Sequence, residues 1–176
     1  VINHGQIHFG ENKIQEALDK WESIKNDFKH IKLHMIGKLQ TNKVKYLIPL
    51  FDYLHSLDNI RLAEKISLEQ KKKNKKLKIF IQVNIGDEHQ KNGIELDQVE
   101  NFYKRCKNEL ELDIIGLMCL PPNNENSSLY FSKMKTLSKD LNLSELSMGM
   151  SNDYIKAVEN HSSFLRIGTK IFGSRV

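Results

Sequence analysis

Leu77-Lys78-Ile79-Phe80-Ile81-Gln82-Val83-Asn84-Ile85 is the clearest strand in this chain, dense in β-branched and aromatic residues. Six further short apolar runs lie around it: Gln6 to Gly10, Ile31 to Ile36, Asp52 to Ser56, Leu112 to Leu120, Glu145 to Met148 and Phe164 to Ile167. Most are followed by an amphipathic segment. After the first run, Ile14, Ala17, Leu18, Trp21 and Ile24 fall on one helical face, which makes Trp21 and Phe28 core residues covering a sheet. Thr41 reads as the N-cap of a short helix stopped by Pro49, and a longer helix runs from about Asn59 into a lysine cluster. Leu129 to Leu141 is helical, and so is the segment from Ser151 through His161.

Strand alternating with helix predicts βαβ units and a parallel sheet. A doubly wound sheet would need an early phosphate fingerprint, and neither GxGxxG nor GxxxxGK[ST] occurs. A (β/α)8 barrel fits better, with seven strands legible and one missing. Such a barrel leaves two strand edges unpaired, so the expectation is a single domain over residues 1–176 that is incomplete at its amino terminus.

Composition narrows the function classes. The chain has 176 residues, 39% hydrophobic and 28% charged, which suits a globular domain with a real core. No apolar run reaches the roughly 18–20 residues of a membrane span. The net charge of +5 equals the five lysines Lys71, Lys72, Lys73, Lys75 and Lys76. That run carries no interleaved aromatic, and Lys outnumbers Arg 23 to 4, so it reads as a solvated helix end and not as a nucleic-acid surface. Cys106 and Cys119 form no CxxC pattern and suit a reducing cytosol. His30 and His34 lie about 13 Å apart if strand-borne, too far to share a metal.

In a parallel barrel the chemistry sits in loops at the strands' carboxyl ends, with phosphate often bound after the last two. There, Ser147-Met148-Gly149-Met150-Ser151 offers two hydroxyls and a glycine at a helix start, and Gly168-Thr169 repeats the offer one strand later. Ser151 taken alone reads equally as an N-cap. Arg166 precedes Gly168 by two residues and shares its strand face. Inside a barrel, that charge would need an acidic group or a heteroaromatic ring nitrogen.

Phe9-Gly10-Glu11-Asn12 with Gln15-Glu16, and His34-Met35-Ile36-Gly37 with Leu39-Gln40 and Asn42-Lys43, resemble the pyridoxal-phosphate homeostasis proteins (the YggS/PROSC family). His55-Ser56, Gln82-Val83-Asn84, Lys91 with Gly93, Gly116-Leu117-Met118, Leu146 to Ser151 and Arg166 to Gly173 continue the resemblance over essentially the whole chain. It implies one barrel of the alanine racemase N-terminal-domain type that binds pyridoxal 5'-phosphate (PLP). It also implies a cytoplasmic, monomeric protein of vitamin B6 and amino-acid balance, without catalytic turnover, whose partners include PLP-dependent apoenzymes. By the same resemblance Ser147, Ser151, Gly168 and Thr169 hold the phosphate, Arg166 faces the pyridine nitrogen, and Asn12 and Asn84 line the pocket. The family's Schiff-base lysine lies in a first-strand segment resembling Ala-Val-Ser-Lys, which nothing here matches. Lys38, Lys91 and Lys170 lie on the right rim, Lys91 resembling a loop lysine of the family, and no catalytic residue is assigned. Two other classes stay open: a PLP-dependent amino-acid racemase of related fold, and a basic nucleic-acid-binding module.

Overall fold

The computed structural model describes residues 1–86, 92–122 and 126–173. Lys91 and part of the loop after Pro122 lie outside the described residues. The strands are β1 (His8–Glu11), β2 (Lys32–Met35), β3 (Tyr53–Leu57), β4 (Lys78–Asn84), β5 (Ile94–Glu95), β6 (Asp113–Cys119), β7 (Glu145–Met150) and β8 (Phe164–Arg166). They form one sheet in the order β1-β2-β3-β4-β6-β7-β8, every pairing parallel, with the short β5 on β4. A strand order that follows the chain, without a reversal point, is the order of a barrel and not of a doubly wound sheet. β1 and β8 each pair on one side, yet the rings of His8 and Phe164 approach to 5.9 Å between centroids, so the sheet curls far enough to bring its two ends together.

Helices α1 (Ile14–Asp27), α2 (Val44–Leu50), α3 (Ile60–Lys73), α4 (Val99–Lys104), α5 (Ser127–Asp140) and α6 (Tyr154–Glu159) lie between the strands, and α7 (Thr169–Phe172) follows β8. The predicted face of α1 is the buried one: Ile14, Ala17 and Trp21 are buried, with Leu18 and Ile24 packed against them. Asn59 caps α3, its side chain accepting from Leu62 N–H at 2.9 Å. Thr41 does not cap α2. It opens a 3-10 turn, Thr41–Lys43, that leads into the helix, and Pro49 is tolerated in the last turn before Leu50.

Two apolar layers hold the barrel. The larger lies between sheet and helices and includes Leu33, Met35, Leu54, Ile79, Ile81 and Leu117. The smaller lies inside the barrel, where Tyr53, Phe80 and Met118 meet Phe164. Alternation along each strand sorts the side chains between the two layers. The lysine run ends α3 as expected: Lys71, Lys72 and Lys73 occupy its last turn, where cations oppose the helix dipole, and Lys71 and Lys72 meet Glu111 and Glu69. Among the described residues, no helix is long and apolar enough to cross a membrane.

Candidate functional site

The carboxyl ends of β7 and β8 place the two predicted loops side by side. Thr169 Oγ1 donates to Ser151 Oγ at 2.9 Å, so two hydroxyls eighteen residues apart meet on the open rim. The N-cap of α6 is Asp153, and its carboxylate accepts from Met150 N–H at 2.7 Å. Ser151 therefore does not cap α6, and its hydroxyl is left to pair with Thr169. Gly149 makes the turn possible. Its φ of +88° lies in the left-handed region, and a Cβ there would stand 2.6 Å from Ala157 Cβ. At Gly168 the position of a Cβ is open space, which leaves the backbone accessible beside the hydroxyl pair.

Arg166 ends β8, two residues before Gly168. Its Nη1 donates to the Ser147 carbonyl and to Ser147 Oγ, both at 2.7 Å, and its Nη2 donates to the Cys119 carbonyl at 2.8 Å. An acidic partner was one way to hold this charge, but three neutral oxygens hold it instead. Burial pushes the guanidinium pKa down from its ordinary value, with Cys119 and Asp153 acting in the opposite sense. The Cys119 thiol, fully buried, is pushed up to about 12 and is no nucleophile at neutral pH.

Ser147 departs from expectation. It is 0% exposed, and its hydroxyl is taken by Arg166 and by His55 Nδ1 at 2.8 Å. The reason is strand alternation: Ser147 pairs in register with Met118 and Phe164, both of which face the barrel interior, while Ser151 lies beyond the strand end. Ser147 thus joins Arg166 and not the rim hydroxyls.

Asn84, at the carboxyl end of β4, is buried and donates to both carboxylate oxygens of Glu95, at 3.0 and 3.3 Å. Asn12 lies exposed just after β1. Lys38 Nζ donates to Asn92 Oδ1 at 2.6 Å, and Lys170 Nζ lies over the Tyr154 ring at 4.6 Å. Trp21 is a core residue, as predicted, packed on Phe9 and donating to Glu11.

What sequence reasoning missed is a histidine line inside the barrel. His34 and His55 are buried and stack on Tyr53 and Phe80, with centroids 4.1 and 4.3 Å apart. His34 contacts His8 at 2.8 Å and His55 at 2.9 Å. Desolvation, then the neighbouring His8, lowers the His34 pKa to about 3. Desolvation also lowers those of His8 and His55, with Lys32 adding to it at His8 and with His34 and Arg166 adding to it at His55. A signal was present: each of the three sits at an inward position on one of three consecutive strands.

The chain matches the family described as alanine racemase, N-terminal domain, over residues 1–176. It is 38% identical to the pyridoxal phosphate homeostasis protein of Aquifex aeolicus over 98% of this chain and 79% of that one. To the protein of the same name from Escherichia coli K12 it is 33% identical, over 99% and 79%. The chain belongs to the pyridoxal phosphate homeostasis family. Among solved structures, PipY of Synechococcus elongatus with PLP bound superposes with a TM-score of 0.90 at 30% identity, covering 98% of this chain and 84% of that one. Alanine racemase from Streptomyces coelicolor, at 13% identity and a TM-score of 0.77, shares the fold. The family and the barrel are thus those the sequence motifs implied.

Proposed function

We propose that this chain binds pyridoxal 5'-phosphate and acts in intracellular PLP and amino-acid homeostasis, holding and releasing the cofactor without turnover of its own. The observation that carries this reading is the joined Ser151–Thr169 hydroxyl pair beside open backbone at Gly168, two residues along the chain from Arg166, whose guanidinium has no acidic partner among its hydrogen bonds. A phosphate fits the rim, and a ring nitrogen fits the guanidinium. Ser151, Gly168 and Thr169 hold the phosphate, Arg166 faces the ring nitrogen, Asn12 and Asn84 line the pocket, and Ser147 contributes through Arg166. Bound there, the group supplies an aldehyde and an electron-withdrawing pyridine ring. An Arg opposite the nitrogen disfavours its protonation and weakens that electron sink, which suits a carrier better than strong carbanion chemistry. The binding partners are then PLP itself and, as recipients, PLP-dependent apoenzymes in the cytoplasm, with the protein acting as a monomer. The test is titration with PLP and with pyridoxal, which lacks the phosphate. PLP should bind at least about tenfold more tightly, and the double variant Ser151→Ala, Thr169→Val should erase that difference, since each lost hydrogen bond to a charged group removes about 1.5–3 kcal/mol. Equal affinity for the two ligands in the unaltered protein would reject the phosphate site. Racemisation of L-alanine by the PLP-loaded protein would reject the non-enzymatic role.

A further inference from the structure

Inside the barrel an unbroken line of hydrogen bonds ends on Arg166. His8 Nδ1 lies 2.8 Å from His34 Nε2, His34 Nδ1 lies 2.9 Å from His55 Nε2, and His55 Nδ1 lies 2.8 Å from Ser147 Oγ. Each link holds one proton, so the line runs in one of two directions. Arg166 decides which. A guanidinium only donates, so it occupies a lone pair of Ser147 Oγ, at 2.7 Å. If His55 also donated to that oxygen, the hydroxyl proton would need another acceptor. Among the described residues the Ser147 hydroxyl has only these two partners, and a buried orphan O–H is disfavoured. Ser147 therefore donates to His55 Nδ1, His55 Nε2–H donates to His34 Nδ1, and His34 Nε2–H donates to His8 Nδ1. His8, partly exposed at the start of β1, is the end of the line nearest solvent.

We propose that His8, His34 and His55 are positioning residues that hold the Arg166 guanidinium through Ser147 and couple its setting to the protonation of His8. A proton added at His8 Nδ1 turns that atom from acceptor to donor. The His34 link must then reverse, the His55 link follows, and the Ser147 hydroxyl loses its acceptor beside Arg166. The groups facing the line are few. Lys32 opposes a charge on His8 and Asp52 favours it. His34 feels His8 and Asp52. His55 feels His34 and Arg166, and Arg166 feels Cys119 and Asp153. Lys78 sits over Tyr53, and the remaining wall is the rings of Tyr53, Phe80 and Phe164.

The relay concerns contacts within the protein, so it is tested without cofactor and its failure is separate from failure of the PLP reading. The experiment is side-chain nitrogen NMR of the histidines from about pH 8 down to about pH 4.5, bracketing ordinary imidazole titration. The expected result is neutral Nε2–H tautomers at His34 and His55 near pH 8, with ring shifts at both that follow the His8 midpoint as pH falls. His8→Phe should abolish that shared movement while the backbone amide spectrum persists. Ser147→Ala should convert His55 from one tautomer to a mixture. Nδ1–H tautomers at His34 or His55 in the unaltered protein overturn the proposal. So do ring shifts indifferent to His8, or a His55 tautomer that Ser147→Ala leaves unchanged.

Discussion

At the scale of single residues, burial decides chemistry that residue type leaves open. His34 is the sharpest case. Its folded-state pKa of about 3 lies below the ordinary 6.5, so the unfolded chain takes up the proton first. The contribution of His34 to stability is thus complete above about pH 6.5 and is lost as pH falls from there toward about 3. The full shift corresponds to at most about 5 kcal/mol. We expect urea unfolding across this window to show stability falling with acidification, and the slope to be shallower in His34→Phe. That variant keeps a ring on Tyr53 but should lose about 1–3 kcal/mol at neutral pH, because His8 and His55 each lose a partner. An identical slope in the two proteins would assign the acid response to other groups.

At the scale of elements, one glycine ties the candidate site to a loop that sequence periodicity passed over. β5 is two residues long, too short to register as a strand, yet it pairs with the carboxyl end of β4 and carries Glu95 to Asn84. Gly93, just before it, has a φ of +132°, and a Cβ there would stand 2.5 Å from the Asn84 backbone nitrogen. Gly93→Ala should therefore cost about 1–3 kcal/mol in strain. Hydrogen exchange should quicken at Val83, Asn84, Ile94 and Glu95 while α3 stays protected. Unchanged exchange at these amides would mean that β5 bends away without loss. The long strands were legible because apolar runs bounded by Gly, Asn or Ser recur along the chain. The missed pieces, β5 and the π-helical turn Arg105–Glu109, are held by tertiary contact and short-range geometry that leave no period in the sequence.

At the scale of the whole molecule, the sheet collects residues from 8 to 166 around one axis, so a ligand at the rim reports on the entire fold. A ligand that binds only the folded state stabilises it by about 2.7 kcal/mol at one hundred times its dissociation constant. We expect PLP at that excess to raise the thermal midpoint, and the Ser151→Ala, Thr169→Val variant to show a smaller rise. An equal rise in both would place the binding elsewhere.

The sequence by itself determined the βαβ rhythm, the barrel and its family, the rim hydroxyls Ser151 and Thr169, and the inward Arg166, because periodicity and motif spacing are local properties. Only the tertiary structure decided that Ser147 serves Arg166 and not the rim, and that three histidines 26 and 21 residues apart form one line to it. Those outcomes depend on which strand positions share a level inside a curled sheet. Register and curvature between strands set that level, and no single stretch of chain records it.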